Sequence, residues 1–351
     1  MEVDFLLIGQ GLAGSILAYR LHSAGAKVYL VDDANPNSSS NVAAGLYNPI
    51  TGRKMVKTWL ADALFANIEP FYQELERALN QRFLYPTGIY RPFVSFEEQN
   101  EWIAKSADTQ YDHYIDKVLS SATFPGVNDS YGGLLLKSSG YVAIKPLLQA
   151  FKTWALNREI LMEHRFSVDT RSRDHRGYWK FAHIRARNLV FCNGVAAGKN
   201  PFFDWVPFTP VKGEILTVRQ DFCAREIINR GVFRIDMGDG LGKVGSTYNN
   251  RELDLNPSLA GKKELLDKLS QLIPAAVQEI TDHQVGIRPA IRDRRPVLGQ
   301  HPSEKNVYLF GGLGAKGVSL APFFSLQMRD FLISGKEPQK EVNINRFFKY
   351  I

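Results

Sequence analysis

The apolar positions near the start of the chain follow first the period of a strand and then that of a helix. Residues 3–8 form a continuous apolar run of strand length, typical of a strand buried on both faces. The next apolar residues recur with helical spacing, so one face of a predicted helix carries Leu12, Ile16, Leu17 and Leu21. Gly25 ends this helix, and residues 26–31 predict a second buried strand. The pattern therefore predicts a strand–helix–strand unit over the first 33 residues.

Glycines mark the turn between the first strand and the helix. Gly9, Gly11 and Gly14 have the spacing Gly-x-Gly-x-x-Gly. In a dinucleotide-binding unit the first glycine permits the tight turn, the second lets the backbone approach a pyrophosphate, and the third lets the helix pack closely on the strand. The start of the helix, at Leu12 and Ala13, offers unpaired N–H groups and the positive end of the helix dipole to phosphates. The alternative is a glycine-rich turn without a ligand.

Two acidic residues, Asp32 and Asp33, follow the second predicted strand. They come about 20 residues after the glycines, where an acidic side chain accepts hydrogen bonds from the ribose hydroxyls of a dinucleotide. A carboxylate at this position would repel the 2′-phosphate of NADP. The unit therefore predicts FAD or NAD as the cofactor and does not choose between them.

The chain length and net charge set broad limits on the rest of the protein. With 351 residues the chain is long enough for two domains, and its formal net charge is +7. Basic charge attracts anions, nucleic acid or acidic lipid. The basic residues are scattered in short groups and no nucleic-acid-binding motif accompanies them. We therefore favour solvated faces and anion contacts over nucleic-acid binding.

Cysteine content and the N-terminal residues bear on the compartment. Cys192 and Cys223 are the only cysteines, which gives no disulfide framework and no metal-binding spacing. The N-terminal residues are acidic, whereas a secretory signal begins with positive charge. The apolar stretch at residues 5–21 is too short and too rich in glycine to span a membrane. We expect a soluble, cytoplasmic protein without a metal site.

Several later segments combine short apolar runs with glycine and proline. They are residues 140–146, 186–194, 210–215, 244–247, 286–289, 293–299 and 307–322. In this order and spacing the sequence resembles the D-amino-acid oxidase/glycine oxidase family of FAD-dependent oxidoreductases over essentially the whole chain. The last block, Gly-Leu-Gly-Ala-Lys-Gly with Arg-Asp-Arg-Arg-Pro upstream, is similar to the FAD domain of the bifunctional tRNA 5-methylaminomethyl-2-thiouridine biosynthesis enzyme.

The resemblance implies an α/β fold with two interleaved domains. A Rossmann-like FAD-binding domain would comprise residues 1–78, 140–205 and 286–351. An α+β substrate domain, built on a large antiparallel sheet with flanking helices, would comprise residues 79–139 and 206–285. The alternation of residue types around residues 215–218 and 233–236 is typical of strands in such a sheet.

The resemblance also implies which residues contact FAD, and they come from several parts of the chain. The implied contacts are Gly9, Gly11, Leu12, Ala13, Gly14, Asp32, Asp33, Ser40, Asn41, Ala44, Gly45, Leu46, Phe166, Asn193, Gly194, Gly314, Ala315, Lys316, Gly317 and Val318. Phe166 matches a backbone contact to adenine. The last five residues match the start of the final helix, where the helix dipole stabilises negative charge on the reduced flavin.

Substrate binding is implied at Arg288, which matches an arginine that pairs with the substrate carboxylate in amino-acid-oxidising members. A guanidinium holds a carboxylate by two parallel hydrogen bonds. The alternative for Arg288 is a structural ion pair. Glycine oxidases carry a tyrosine where Phe233 stands and an arginine where Ala315 stands, so glycine or sarcosine is not the expected substrate.

Further basic residues, Arg53, Lys54 and Lys212, are candidates for an anionic substrate site, with a solvated face as the alternative for each. Family members with covalent FAD use a cysteine near a segment where this chain has none, so the resemblance implies non-covalent FAD.

Three functional hypotheses follow. The first is FAD-dependent oxidation of a C–N bond of an amino acid or secondary amine by hydride transfer to flavin N5, which requires no side-chain base. The second is FAD-dependent oxidative removal of the carboxymethyl group from a carboxymethylaminomethyl uridine in tRNA. The third is an NAD-dependent dehydrogenase or a non-catalytic nucleotide-binding module. The expected partner is a small-molecule amine or amino acid, with tRNA as the alternative.

Overall fold

The computed structural model describes residues 1–52, 54–167 and 172–351. Its helices are distributed among runs of strands. They are α1 (Leu12–Ser23), α2 (Ser39–Val42), α3 (Ala61–Leu79), α4 (Phe96–Lys105), α5 (Ile144–Leu156), α6 (Leu259–Leu272) and α7 (Gly317–Ser334). Short 3₁₀ segments lie at Thr109–Tyr111, Gly194–Lys199 and Ile344–Tyr350.

The strands fall into two large sheets and two small ones. In chain order they are β1 (Glu2–Ile8), β2 (Val28–Asp32), β3 (Leu46–Tyr47), β4 (Ile50–Thr51), β5 (Val56–Lys57), β6 (Leu84–Pro86), β7 (Ile89–Pro92), β8 (Ile115–Leu119), β9 (Gly133–Leu136), β10 (Gly140–Val142), β11 (Leu161–Glu163), β12 (Ser172–Arg173), β13 (Trp179–Phe181), β14 (Ile184–Phe191), β15 (Val211–Gln220), β16 (Ile227–Arg230), β17 (Val232–Gly238), β18 (Leu241–Gly245), β19 (Val277–Arg288), β20 (Val297–Gln300) and β21 (Val307–Gly311).

The first sheet contains the predicted N-terminal unit. Its strand order is β11-β2-β1-β14-β13-β12, and β21 pairs with both β14 and β20. Strands β11, β2, β1, β14 and β21 run parallel, and α1 carries the chain back across the sheet between β1 and β2. Their carboxyl ends therefore meet at one edge. In open α/β sheets ligands bind in the crevice at that edge.

The second sheet has the strand order β19-β15-β18-β17-β16-β7-β9-β8. Neighbouring strands are antiparallel except for β16 and β7, which run parallel. The expected antiparallel sheet is therefore correct for most pairs, and the exception arises because β16 returns to pair with a strand from much earlier in the chain. Two smaller sheets, β3-β10-β6 and β4-β5, complete the fold.

Three clusters of buried apolar side chains hold these layers together. The largest lies where α1, α3, α5 and α7 cover one face of the first sheet, and it reaches the second sheet at Ile89, Leu134 and Ile235. Another covers the opposite face of the first sheet. The third lies between the second sheet and α6, around Val244 and Leu265. Strand β1 touches the first two clusters, which explains its continuous apolar sequence.

We keep the two-domain division expected from the sequence as a proposal, and the distribution of strands between the two large sheets supports it. Residues 79–139 and 206–285 supply the second sheet apart from the last three residues of β19. Residues 1–78, 140–205 and 286–351 supply the first sheet. The fold is thus mixed α/β, with one largely parallel sheet and one largely antiparallel sheet.

Neither a membrane-spanning helix nor a metal cluster occurs in the part of the chain that the structure describes. There, every helix is too short or too polar to cross a bilayer. Nor, within those ranges, do three or more His, Cys, Asp or Glu side chains converge as metal ligands would.

Candidate active site

One large cavity of about 2100 Å³ joins the two sheets. Pockets for a single small ligand have volumes of about 300–1,000 Å³, so this cavity has room for a large cofactor together with a substrate. Its walls come from the carboxyl-end edge of the first sheet and from one face of the second. All the FAD contacts implied by the sequence line it except Gly14 and Asn41, and so does Arg288.

Gly14 lies beneath the cavity, where α1 packs against the turn after β1. A Cβ on Gly14 would lie 1.9 Å from the carbonyl oxygen of Gly9, closer than any two such atoms can approach. Gly9 itself has a φ of +106°, which favours glycine. The close packing of α1 on this turn therefore requires glycine at position 14, which is the role expected for the third glycine.

The N-terminus of α1 opens onto the cavity without a side-chain cap. Its first intrahelical bond runs from the Ser15 N–H to the Gly11 carbonyl, which leaves the amides of Ala13 and Gly14 in an uncapped first turn. The Leu12 N–H donates to Ser40 Oγ at 3.1 Å. That hydroxyl retains its own proton to donate to an anion.

Asp32 lies at the end of β2, on the cavity wall. Its Oδ1 accepts from the Gln10 N–H at 2.7 Å, and its Oδ2 accepts from the Ala34 N–H at 2.9 Å. A carboxylate has about four acceptor positions, so two stay available for ribose hydroxyls. Asp33 lines the cavity beside it. Asn41 instead donates to the Asn35 carbonyl, in the loop that follows β2.

Asn193 provides an unfilled acceptor at the end of β14. Its Oδ1 is buried and has no hydrogen-bond partner among the described residues, although the residue lines the cavity. Buried polar atoms nearly always have partners, so this oxygen is suited to a donor on a ligand. Phe166 lines the same part of the cavity, and its ring packs at 5.0 Å and 5.8 Å from those of Phe181 and Phe191.

The N-terminus of α7 reaches the cavity from the other side. Its first intrahelical bonds end on the Lys316 carbonyl, so the Gly317 and Val318 amides lie in a first turn that no side chain caps. The Lys316 ammonium donates to the hydroxyls of Thr51 and Thr58 at 3.2 Å and 3.4 Å. Burial lowers the pKa of Lys316 from its usual value.

Arg288 ends β19 and projects over Gly213 of the neighbouring strand. Its Nη2 donates to Ser246 Oγ at 2.7 Å and to the Thr247 carbonyl at 3.1 Å, and its Nη1 donates to the Lys212 carbonyl at 3.4 Å. A Cβ on Gly213 would lie 2.1 Å from Nη2 and would displace the guanidinium. Arg288 forms no ion pair within the described chain, so the structural-ion-pair alternative finds no carboxylate there.

The remaining candidates divide between the cavity and the protein interior. Phe233 lines the cavity and packs against Gly245 of the adjacent strand. Lys212 is buried elsewhere, where its Nζ donates to Asp254 Oδ1 at 3.1 Å. Lys212 is therefore neither a solvated residue nor part of the cavity. Lys54 is exposed, and Arg53 lies outside the described residues.

The described residues fit FAD. Two uncapped helix N-termini, Asp32 and Asn193 line one cavity. The helix N-termini suit phosphates and the negative edge of a flavin, and the carboxylate suits a ribose. A long ligand with a pyrophosphate in its middle, such as FAD, suits all of these groups at once.

Sequence reasoning missed Arg91, Arg230 and Ser246, which also line the cavity. Ser246 lies in a segment that carries the family resemblance, but the resemblance gave its side chain no role. Arg91 interrupts the apolar strand β7, and a lone charge inside a buried strand is the signal that could have identified it. Arg230 carries no comparable signal because it stands among polar neighbours.

Comparisons with known proteins agree with this geometry. The model of the DAO family, described as FAD dependent oxidoreductase, matches residues 4–329. Glycine oxidase from Pseudomonas aeruginosa is 24% identical over 361 residues, which cover 96% of each chain. The crystal structure of glycine oxidase from Bacillus cereus superposes with a TM-score of 0.76 at 22% identity, covering 95% of this chain and 96% of that one.

A longer type of protein is also similar. The tRNA 5-methylaminomethyl-2-thiouridine biosynthesis bifunctional protein from Marinobacter nauticus is 27% identical over 354 residues. The match covers 93% of this chain and 54% of that protein. The chain thus spans about half the length of the bifunctional relatives that it matches.

Proposed function

The chain belongs to the DAO family of FAD-dependent oxidoreductases, and on that premise we propose that it oxidises a C–N bond of an amino acid or N-substituted glycine. The observation that carries this proposal is Arg288, a largely buried guanidinium in the cavity without a carboxylate partner among the described residues. Burying an unpaired charge is costly, so a site that retains one is suited to an anionic ligand. The family also favours FAD over the NAD-dependent alternative.

We propose that the FAD contacts are the residues expected from the sequence. The first turn of α1 and Ser40 would hold the pyrophosphate, Asp32 the ribose, and the first turn of α7 the flavin edge. When bound, FAD supplies a two-electron acceptor, which takes up a hydride at N5. The dipole of α7 stabilises negative charge at its N-terminus, and Lys316 adds a positive charge beside it.

The chain's own residues orient the substrate rather than deprotonate it. Arg288 holds the carboxylate by a guanidinium that Ser246 and the Thr247 carbonyl keep in place. Phe233 contributes an apolar surface and no hydrogen bond. In the described chain, no carboxylate or imidazole lines the cavity on the side of the second sheet. The amine must therefore reach the site with a neutral nitrogen.

We propose non-covalent binding of FAD on the basis of the two cysteines. Burial raises the pKa of the Cys192 thiol, which disfavours the thiolate needed for attachment. Cys223 is exposed and lies outside the cavity, and its hydrogen bond to Asp236 raises its pKa. Denaturation should consequently release free FAD from the purified protein.

Anaerobic reduction of the bound flavin tests the proposal. We expect the purified protein to be yellow and to lose its visible flavin absorbance when mixed with a suitable amino acid or N-substituted glycine. The corresponding amides, which lack the carboxylate, should reduce it far more slowly, because they give Arg288 no anion. A protein that stays colourless with added FAD, or a flavin that no amine of a broad panel reduces, would contradict the proposal.

The tRNA hypothesis remains as a second candidate because the bifunctional relative matches almost the whole of this chain. The cationic residues of the cavity also suit a substrate with phosphates nearby. Mass spectrometry of wobble uridines, in tRNA from a strain that lacks the gene, tests this hypothesis. Accumulation of carboxymethylaminomethyl uridine is the expected result, and an unchanged nucleoside profile excludes it. Re-expression of the wild-type gene is the control.

A further inference from the structure

A second guanidinium lies in the cavity wall, well away from Arg288. Arg91 of β7 is only 5% exposed, and it donates from Nη1 to the Ile50 carbonyl at 3.1 Å and from Nη2 to the Gly52 carbonyl at 3.0 Å. Its Nε is buried and has no partner in the described ranges. The residue therefore places a buried positive charge in the cavity wall.

Arg230 of β16 adds a second positive charge beside Arg91. Its Nη2 pairs with Glu98 Oε1 at 3.0 Å, while its Nη1 is buried without a hydrogen-bond partner among the described residues. Burial, and then the charge of Arg230, lower the pKa of Arg91 to about 10. The two guanidiniums thus share one carboxylate, Glu98, and the group has an excess positive charge.

Acidic residues neutralise this part of the cavity only in part, since Glu98 is the one carboxylate among the described residues that pairs with either guanidinium. Within the described chain, the acidic residues that line the cavity are Asp32 and Asp33, both at the nucleotide end. The second-sheet wall carries Arg91, Arg230 and Arg288. A wall with three cations, of which only Arg230 pairs with a carboxylate among the described residues, is therefore suited to an anionic ligand.

Strand order separates this pair of cations from Arg288. The Arg288 guanidinium reaches Ser246, next to the end of β18, and β18 is three strands from β7 in the sheet. Three strand spacings correspond to roughly 14 Å. In the pairing register Asn229 lies between Arg91 and Phe233 on one face, so these side chains form a continuous wall.

We propose that Arg91 and Arg230 form a second anion-binding subsite, and that the substrate carries a second anionic group, a carboxylate or a phosphate, far from the carboxylate held by Arg288. This proposal rests on the proposed function, because it uses the same cavity and the same substrate. It narrows the substrate class to amines with two anionic ends. A purely structural role would account for the two carbonyl contacts of Arg91 and not for the excess of positive charge along this wall of the cavity.

Flavin absorbance titration of the FAD-loaded protein tests the subsite without turnover. Linear dicarboxylic acids of increasing length are compared with monocarboxylic acids of equal length, and ω-phosphonocarboxylic acids form a third series. We expect one length of the dicarboxylate or phosphono series to bind at least tenfold tighter than its monocarboxylate. The series that binds tighter identifies the terminal group.

Two variants should shift this preference in opposite directions. Arg230→Gln removes a cation, so the affinity ratio of the two-charge to the one-charge ligand should fall to near one. Glu98→Gln removes the one carboxylate that pairs with Arg230 in the described chain, so the ratio should rise severalfold, while the amide oxygen still accepts from the Val94 N–H. Arg219→Gln is the matched control, because Arg219 pairs with Glu279 on the same sheet and lies outside the cavity.

The outcomes separate this proposal from the proposed function. Equal affinities for one-charge and two-charge ligands at every length would overturn the second subsite and leave the role of Arg288 intact. The absence of any flavin perturbation by any carboxylate would overturn both. If Arg230→Gln and Glu98→Gln changed the affinity ratio of two-charge to one-charge ligands equally and in the same direction, both residues would have a structural role only.

Discussion

Arg288→Met should lower kcat/KM for a carboxylate-bearing amine by on the order of a hundredfold or more. Removing one partner of a buried, hydrogen-bonded charge pair costs about 2–5 kcal/mol. The Arg288 guanidinium is largely buried, so solvent screens the interaction with a substrate carboxylate only weakly. Steady-state kinetics with the best substrate of the amine panel would measure this loss.

The amide of the same substrate provides the internal control. Wild type and Arg288→Met should oxidise that neutral analogue at similar rates, because it presents no charge to the guanidinium. Arg288→Lys should fall between wild type and Arg288→Met, since an ammonium keeps the charge but cannot bind Ser246, Thr247 and a substrate carboxylate with the fixed donor geometry of a guanidinium. A uniform loss on the acid and the amide would instead indicate a structural role for Arg288.

Gly14→Ala should yield a protein that retains little FAD and unfolds at a lower temperature. The added Cβ would lie 1.9 Å from the Gly9 carbonyl oxygen, so α1 must move away from the turn after β1. Overpacking of this kind costs about 1–3 kcal/mol or more. The displacement also shifts the uncapped amides of α1 from the position at which they would bind a pyrophosphate. Thermal denaturation and the ratio of flavin to protein absorbance measure the two effects.

Gly25→Ala is the matched control in the same strand–helix–strand unit. Gly25 has a φ of +82°, and a Cβ there would meet no atom within 4 Å. The control therefore carries the conformational cost of alanine at positive φ, about 1–2 kcal/mol, without a clash. It should keep its FAD. If Gly14→Ala bound FAD as well as the control does, the phosphate-binding role of this turn would be wrong.

The N-terminal unit could be predicted because its chemistry is local in the sequence. Gly9 and Gly14 are five residues apart, and their contact is fixed by one turn and the first turn of one helix. The apolar run of β1 likewise follows from burial on both faces of a sheet. Fold class and family came from several such local segments in a specific order, and the match over residues 4–329 confirms the family.

Other residues were not predictable because their environment is assembled from distant segments. The sequence suggested either substrate binding or a solvated face for Lys212, yet the residue is buried beside Asp254. Arg91 and Arg230 become neighbours only because β16 pairs in parallel with β7 across more than a hundred residues of chain. No sequence window contains both arginines, so their joint charge cannot be read from local spacing.

The sequence by itself determined the dinucleotide-binding unit, the family and the identity of the residues that match its motifs. Only the tertiary structure decided which charges face the cavity and which are neutralised. The physical reason is that backbone turns and helix starts depend on neighbouring residues, whereas the desolvation and pairing of a charge depend on everything packed around it. The strand–helix–strand unit can therefore be predicted from the sequence, whereas Arg91, Arg230 and Arg288 come together in one cavity wall only once the second sheet is formed.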